Sequence, residues 1–517
     1  MVTVDDQGVW CRCPYTPCMR FLALSKTTLT LLATLPCFSQ DRLPVFETRW
    51  TAESWRMPAK DERPMGVLGL QVNRRWDSGA YAGLGGWGSL TGEKGGFITF
   101  GFDGGWRIPI TEHLGLDTGL WVGGGGAGRA SVGGGLMLRG HAGLSLETQH
   151  GTYNLEWSQV RFPNGAIDTR QVALTAVFPF RLPAWNAAEP PTRALPDLRH
   201  FRGMSFLLTA QRYGPTQSVR ALSGEPNRDP LELVGLELRL GLGKHAFVVL
   251  DSAAAARGKA DGYMDVFLGL GYAVDLLDSG RLRGVAKLVA GPAGGGNLDV
   301  GGGGALKATM GLDLVIGRDG LLSVSGGFVS TPSASFKARV FQIEAGRRFT
   351  FAHPSGTDAP SEWAWSWTGW AFRPSFLRMT AAQRRGNAEA LPIELVGLHF
   401  SYGLGAGFET LGQGNFATAG KAGGFAQGLV GLAWRSPALL GAGPRLRLQG
   451  LLGSSGGGGV ATSGGLVTQP SAGLEQDLGA GWSLQVLAGR SRAPKGELDT
   501  TFVEGGLAWR FKVPTRQ

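Results

Sequence analysis

Leu231-Glu232-Leu233-Val234-Gly235-Leu236-Glu237-Leu238-Arg239-Leu240-Gly241-Leu242 is the stretch whose period decides the fold. Val234, Leu236, Leu238, Leu240 and Leu242 fall on one face, with Gly235, Glu237, Arg239 and Gly241 on the other. A period of two is the signature of a strand. The stretch returns 162 positions later, where Val396, Leu398, Phe400, Tyr402 and Leu404 alternate with Gly397, His399, Ser401 and Gly403. At the same offset, Glu232–Leu236 recurs as Glu394–Leu398, the oligoglycine run Gly291–Val300 as Gly453–Thr462, Pro332 as Pro494 and Phe349 as Phe511. A looser first copy carries Gly69-Leu70, the Gly123–Gly126 run, Pro163 and Phe180 in the same order. A unit repeated three times settles architecture before any single residue is assigned a role.

Each copy divides into about eight alternating segments, in the first copy near 45–55, 65–76, 79–90, 97–110, 114–126, 133–147, 151–162 and 168–180. In the second copy, Met264, Val266, Leu268, Leu270, Tyr272, Val274 and Leu276 form one unbroken apolar face. Many segments run longer than the ~5–6 residues usual in soluble sheets and match the ~9–11 needed to cross hydrocarbon at a tilt. Unpaired backbone groups are not tolerated in lipid, so strands of this kind must close into a barrel. The opposite faces are mainly Gly, Ala and Ser with scattered charges, which does not suit the solvent face of soluble sandwiches.

Composition agrees. Glycine accounts for 85 of 517 residues, more than twice its usual share of ~7%, and charged residues are only 17% against ~25% in soluble domains. All four cysteines, Cys11, Cys13, Cys18 and Cys37, precede residue 40, and no His or Cys follows them at zinc-ligand spacing. Met19-Arg20 and Lys26 form a basic start, Thr27–Leu35 an apolar run, and Pro36-Cys37-Phe38-Ser39 a cleavage site, the layout of a secretory signal with Met19 as the expected true start. Lipidation at Cys37 would require a small residue before it, where Pro36 stands. The net charge of +10 becomes +9 without residues 1–40, a balance that favours anionic surfaces.

With its signal, its alternation over 45–513 and its closing Trp509-Arg510-Phe511, the chain resembles bacterial outer-membrane β-barrel proteins as a class. The resemblance implies an all-β fold of antiparallel up-and-down barrels in the outer membrane of a Gram-negative cell. The partners it implies are outer-membrane lipid and lipopolysaccharide, the barrel-assembly machinery and a periplasmic protein. Nucleic acid is not expected. Lys512–Gln517 extend beyond the usual aromatic end.

Twenty-four strands could close once, as a large pore, or three times. Pro-rich linkers at 183–201 and 352–370 and the glycines Gly69, Gly235 and Gly397 on the inner faces favour three closures, because an eight-stranded interior has room only for filling side chains. The expected organisation is a leader over 1–40, barrel repeats over 41–182, 202–351 and 371–517, and the two linkers between them. The oligoglycine runs read as curved or flexible loop ends, and Trp363, Trp365, Trp367 and Trp370 as interfacial anchors.

No reactive residue recurs in all three copies. Gln71, Glu237 and His399 occupy one aligned inner position, and with Arg239, Glu344 and Arg348 they are the candidate lumen-facing residues, either a packed ion network or the lining of a pore. His141, Ser145 and Glu147 share a face but are spread along the strand too far for a local triad. No catalytic, cofactor-binding or metal-binding residue is expected. A structural role with small-solute binding or passage is the first functional reading, a single large pore the second and a lipid-modifying enzyme the third.

Overall fold

The computed structural model describes residues 45–181, 185–186, 203–350 apart from 217, 218 and 261, and 365–516 apart from 388, 440 and 442. The expected leader therefore lies outside the described residues, as do most of both linkers and Trp363. The described chain is all-β, with a single 3-10 turn at Arg385–Asn387.

The first barrel contains β1 (Val45–Trp55), β2 (Met65–Arg75), β3 (Ala80–Thr91), β4 (Ile98–Pro109), β5 (Leu114–Gly126), β6 (Met137–Thr148), β7 (Gly151–Arg161) and β8 (Asp168–Arg181). A two-residue strand, β9 (Trp185–Asn186), follows within the expected linker. The second barrel contains β10 (Gly203–Pro215), β11 (Leu231–Gly241), β12 (Ala246–Arg257), β13 (Met264–Asp275), β14 (Leu282–Gly294), β15 (Gly304–Ile316), β16 (Gly320–Ser330) and β17 (Lys337–Thr350). The third contains β18 (Trp365–Ala382), β19 (Leu391–Gly405), β20 (Phe408–Ala419), β21 (Ala426–Arg435), β22 (Arg445–Gly456), β23 (Leu466–Gly479), β24 (Trp482–Arg492) and β25 (Asp499–Arg516).

Every neighbouring pair is antiparallel, and each set of eight closes on itself. Trp50 pairs with Ala176 across β1 and β8, Met204 with Phe349 across β10 and β17, and Trp370 with Phe511 across β18 and β25. The single 24-stranded pore is thereby excluded. β9 adds to β25 at Phe511 and Lys512. An even strand number brings the two ends of each barrel to one side, the terminal end. The opposite side, the loop end, carries the longer connections.

Two strand boundaries differ from the sequence reading for identifiable reasons. β6 begins at Met137 rather than near 133, because Gly133 and Gly135 take positive φ (60° and 100°) and turn away from the ladder. β18 begins at Trp365, inside the expected linker, so Trp365 and Trp367 belong to a strand.

The outer faces are oily. Leu174 is 64% exposed, Leu270 60% and Met310 70%, and they are flanked by further exposed leucines and aromatics along the same strands. A water-soluble monomer rarely shows contiguous apolar surface on this scale, whereas a transmembrane barrel requires it. No described helix is long and apolar enough to cross a membrane.

Candidate functional site

Alternation directs the polar residues of each strand into a narrow interior, where charges are tolerable only if paired and hydrogen-bonded. In the first barrel, Arg49 on β1 reaches across to β5, donating to both carboxylate oxygens of Asp117 at 3.0 Å and to Glu156 at 3.0 Å. Arg139 donates to Glu53 at 2.7 Å and to Glu156 at 2.8 Å. His141 Nδ1 lies 2.9 Å from Arg139 and Nε2 lies 3.0 Å from Asp117. Tyr81 also donates to Asp117, at 3.1 Å.

In the second barrel, Arg239 donates to Glu237 at 2.5 Å, Asp313 at 2.6 Å and Glu344 at 2.5 Å, linking β11 to β15 and β17. Lys287 completes the ring through Glu237 at 2.6 Å and Glu344 at 2.8 Å. Nearer the loop end, Lys307 pairs with Asp251 at 2.5 Å, and Tyr213 donates to Asp265 at 2.8 Å. In the third barrel, Arg447 and Arg510 alternate with Glu409 and Glu475. Their contacts measure 2.8 Å for Arg447–Glu409, 3.2 Å for Arg447–Glu475 and 2.8 Å for both contacts of Arg510. His399 sits between Arg373 and Glu504.

Five of the six candidate residues are buried. Glu237, Arg239 and Glu344 meet in one cluster. His399 belongs to another, and Gln71 lies beside Gly69, where a Cβ would come within 2.7 Å of the Trp87 ring. Arg348 stands apart, half-buried near the terminal end, with its guanidinium directed to the Arg318 carbonyl at 3.5 Å. Sequence reasoning missed Arg49, Asp117, Glu156 and Arg139, because the pairs Arg49–Asp117, Arg49–Glu156 and Arg139–Glu53 join strands that are not neighbours. His141 was singled out only as part of a triad. Its ring instead bridges Asp117 and Arg139, while Glu147 is exposed.

Asp117, His141 and Glu156 bring ligand atoms within 4.8 Å of one another, which is metal-like spacing. A guanidinium nitrogen of Arg49 already lies 3.0 Å from both carboxylates, so the charge a cation would supply is present. The cluster fits arginine rather than a metal.

The glycine runs lie at the curved loop ends expected, with positive φ at Gly294–Gly296 and Gly457–Gly459, and they have a further role. They lie where barrels touch. Gly95 N donates to Gly301 O at 2.8 Å between the first and second barrels. Gly423 N donates to Gly133 O at 3.0 Å and Gly424 N to Gly125 O at 3.1 Å between the third and first. Ser454 Oγ donates to Ala255 O between the second and third. In each case the third–fourth hairpin of one barrel meets the fifth–sixth loop of another. Using the same two surfaces in order, the three contacts close into a ring. A Cβ at Gly96 would lie 2.3 Å from Gly295 N, and one at Gly465 2.2 Å from Ala255 O, so backbones this close admit only glycine.

Trp370 departs from the anchor reading. It is buried at the junction of the second and third barrels, with ring centroids 5.0 Å from Phe349, 5.7 Å from Phe206 and 4.7 Å from Tyr402.

No known family profile matches the sequence, and no curated protein matches it. Among solved structures, the ferric enterobactin receptor PfeA of Pseudomonas aeruginosa overlaps at 9% identity and a TM-score of 0.27, covering 90% of this chain and 80% of that one. The siderophore receptor PirA from Acinetobacter baumannii gives 8% identity and 0.26, covering 91% and 80%. The NanC porin gives 8% and 0.15, covering 59% and 98%. Overlaps this loose do not distinguish one large barrel from three small ones, and the fold assignment rests on strand pairing.

Proposed function

We propose that this chain is an integral outer-membrane protein of a Gram-negative cell with a structural or scaffolding role, its three barrels sealed to solutes. The observation that carries the proposal is that a guanidinium network crosses each interior: Arg49 in the first, Arg239 in the second, and Arg447 with Arg510 in the third. An eight-stranded interior is just wide enough for side chains to fill; Arg49 and Arg239 bond strands on opposite walls, and Arg447 and Arg510 tie β20, β22, β23 and β25 together. The oily outer faces and the ring of junctions support a unit that holds three barrels at fixed spacing in a bilayer. Recording purified full-length protein in planar bilayers tests this directly. A silent membrane is expected, and large, stable conductance steps would replace the scaffold with a pore.

A further inference from the structure

The junction between the second and third barrels opens into a cleft of about 710 Å³ at the loop end. Its lining includes Arg257, Lys259, Arg385, Lys495 and Glu497, four cations against one carboxylate. This exceeds the space an inorganic ion requires and falls in the ~300–1,000 Å³ range of small-molecule sites.

The walls are fixed. Arg385 N donates to Gly459 O at 2.9 Å, Ala461 N to Gln383 O at 3.0 Å and Glu497 N to Ala461 O at 3.0 Å, binding three loops of the third barrel together. Arg384 ties the same turn to Gly458 O at 2.9 Å and Gly420 O at 2.6 Å. Across the junction, Ser454 Oγ bonds Ala255 O, which holds the second barrel's wall in place.

Two of these cations have carboxylate partners exposed to solvent. Lys259 meets Asp229 at 3.0 Å and Arg257 meets Glu232 at 3.6 Å, both as exposed pairs, and such pairs contribute little and exchange readily. Nor does the repeat account for all of this charge. In the 162-residue register, Arg385, Lys495 and Glu497 correspond to Ser223, Ser333 and Ser335 of the second copy. The lining at this junction therefore departs from the shared plan of the fold.

We propose that this cleft binds a phosphate-bearing ligand of sugar-phosphate size, either the phosphorylated headgroup of a membrane glycolipid or a soluble phosphosugar. The shared chemistry is multivalent phosphate held by arginine and lysine. The proposal is independent of whether the barrels conduct, because the cleft lies in the loops outside all three interiors.

The test uses the full-length protein in vesicles with three probes: a bisphosphorylated glucosamine-disaccharide glycolipid, its dephosphorylated form, and the soluble bisphosphorylated disaccharide without acyl chains. One or both phosphorylated probes should bind, and which of them does so identifies the source. The Lys259→Gln/Lys495→Gln variant should weaken that binding about tenfold, and Glu497→Gln should strengthen it several-fold. Both variants should keep the wild-type urea-unfolding midpoint. Saturable binding by neither phosphorylated probe, equal binding of the dephosphorylated glycolipid, or undiminished binding by the double-lysine variant would overturn the proposal.

Discussion

Replacing Arg49 with methionine removes the residue that joins opposite walls of the first barrel. Arg49 makes two 3.0 Å bonds to Asp117 and one to Glu156. Without it, Asp117 retains His141 at 3.0 Å, Tyr81 at 3.1 Å and Arg107 at 3.4 Å, while Glu156 keeps Arg139 at 2.8 Å. Breaking one side of a buried ion pair costs about 3–5 kcal/mol, because a charge is left under-compensated away from water. Arg49→Met should therefore lower the unfolding free energy by about that amount. Adding Asp117→Asn removes the stranded charge, and the double variant should recover at least half of the loss through coupling between contacting residues. Trp55, Trp87 and Trp121 are buried in this barrel, so urea unfolding from vesicles can be followed by tryptophan fluorescence. A single variant within about 1 kcal/mol of wild type, or two losses that simply add, would refute the interior network as a coupled unit.

Other consequences test the outer face and the junctions. Leu270→Arg places a charge on an outer face that is 60% exposed and should cost about 2–4 kcal/mol in vesicles; no change in the unfolding midpoint would contradict a lipid-facing position. Gly465→Val would force a side chain onto Ala255 O at a φ of +94° and should make the 457–465 loop cleavable by limited proteolysis while the barrels remain resistant. Wild-type resistance of that loop would count against the glycine seam. Trp370→Ala should cost about 3–5 kcal/mol, mostly at the second–third junction. A two-step urea curve is the expected reading, and an unchanged curve would refute the aromatic contact.

Much of the fold was legible because strand period and repeat spacing are local properties. The Leu231–Leu242 alternation becomes β11, and the equivalent stretch 162 positions later lies in β19. The seam was not legible, since its contacts join distant segments: Ser454 and Ala255 are 199 residues apart, and nothing near either names the other. Gly133 and Gly135 resembled a strand start until their positive φ values turned that segment toward the third barrel.

The interior networks were half legible. Glu237, Arg239 and Glu344 could be placed on inner faces by alternation, but which strands their charges would join depends on tilt and stagger. The repeat does not fix the chemistry at each position either, since Glu237 and His399 occupy equivalent places with different partners. What recurs is a filled interior, reached in each barrel by its own set of ion pairs.

The central claim is that three barrels close separately, and strand pairing tests it most directly. In a chain whose four native cysteines are replaced by serine, cysteine pairs are placed at Ala52/Leu174, Leu208/Ala345 and Phe376/Gly505, which face each other across the three closures. Cross-strand Cα separations of about 4.5–5.5 Å suit a disulfide, so mild oxidation should capture all three pairs. Capture instead of Leu174 with Leu208, joining the end of the first repeat to the start of the second, would contradict separate closure.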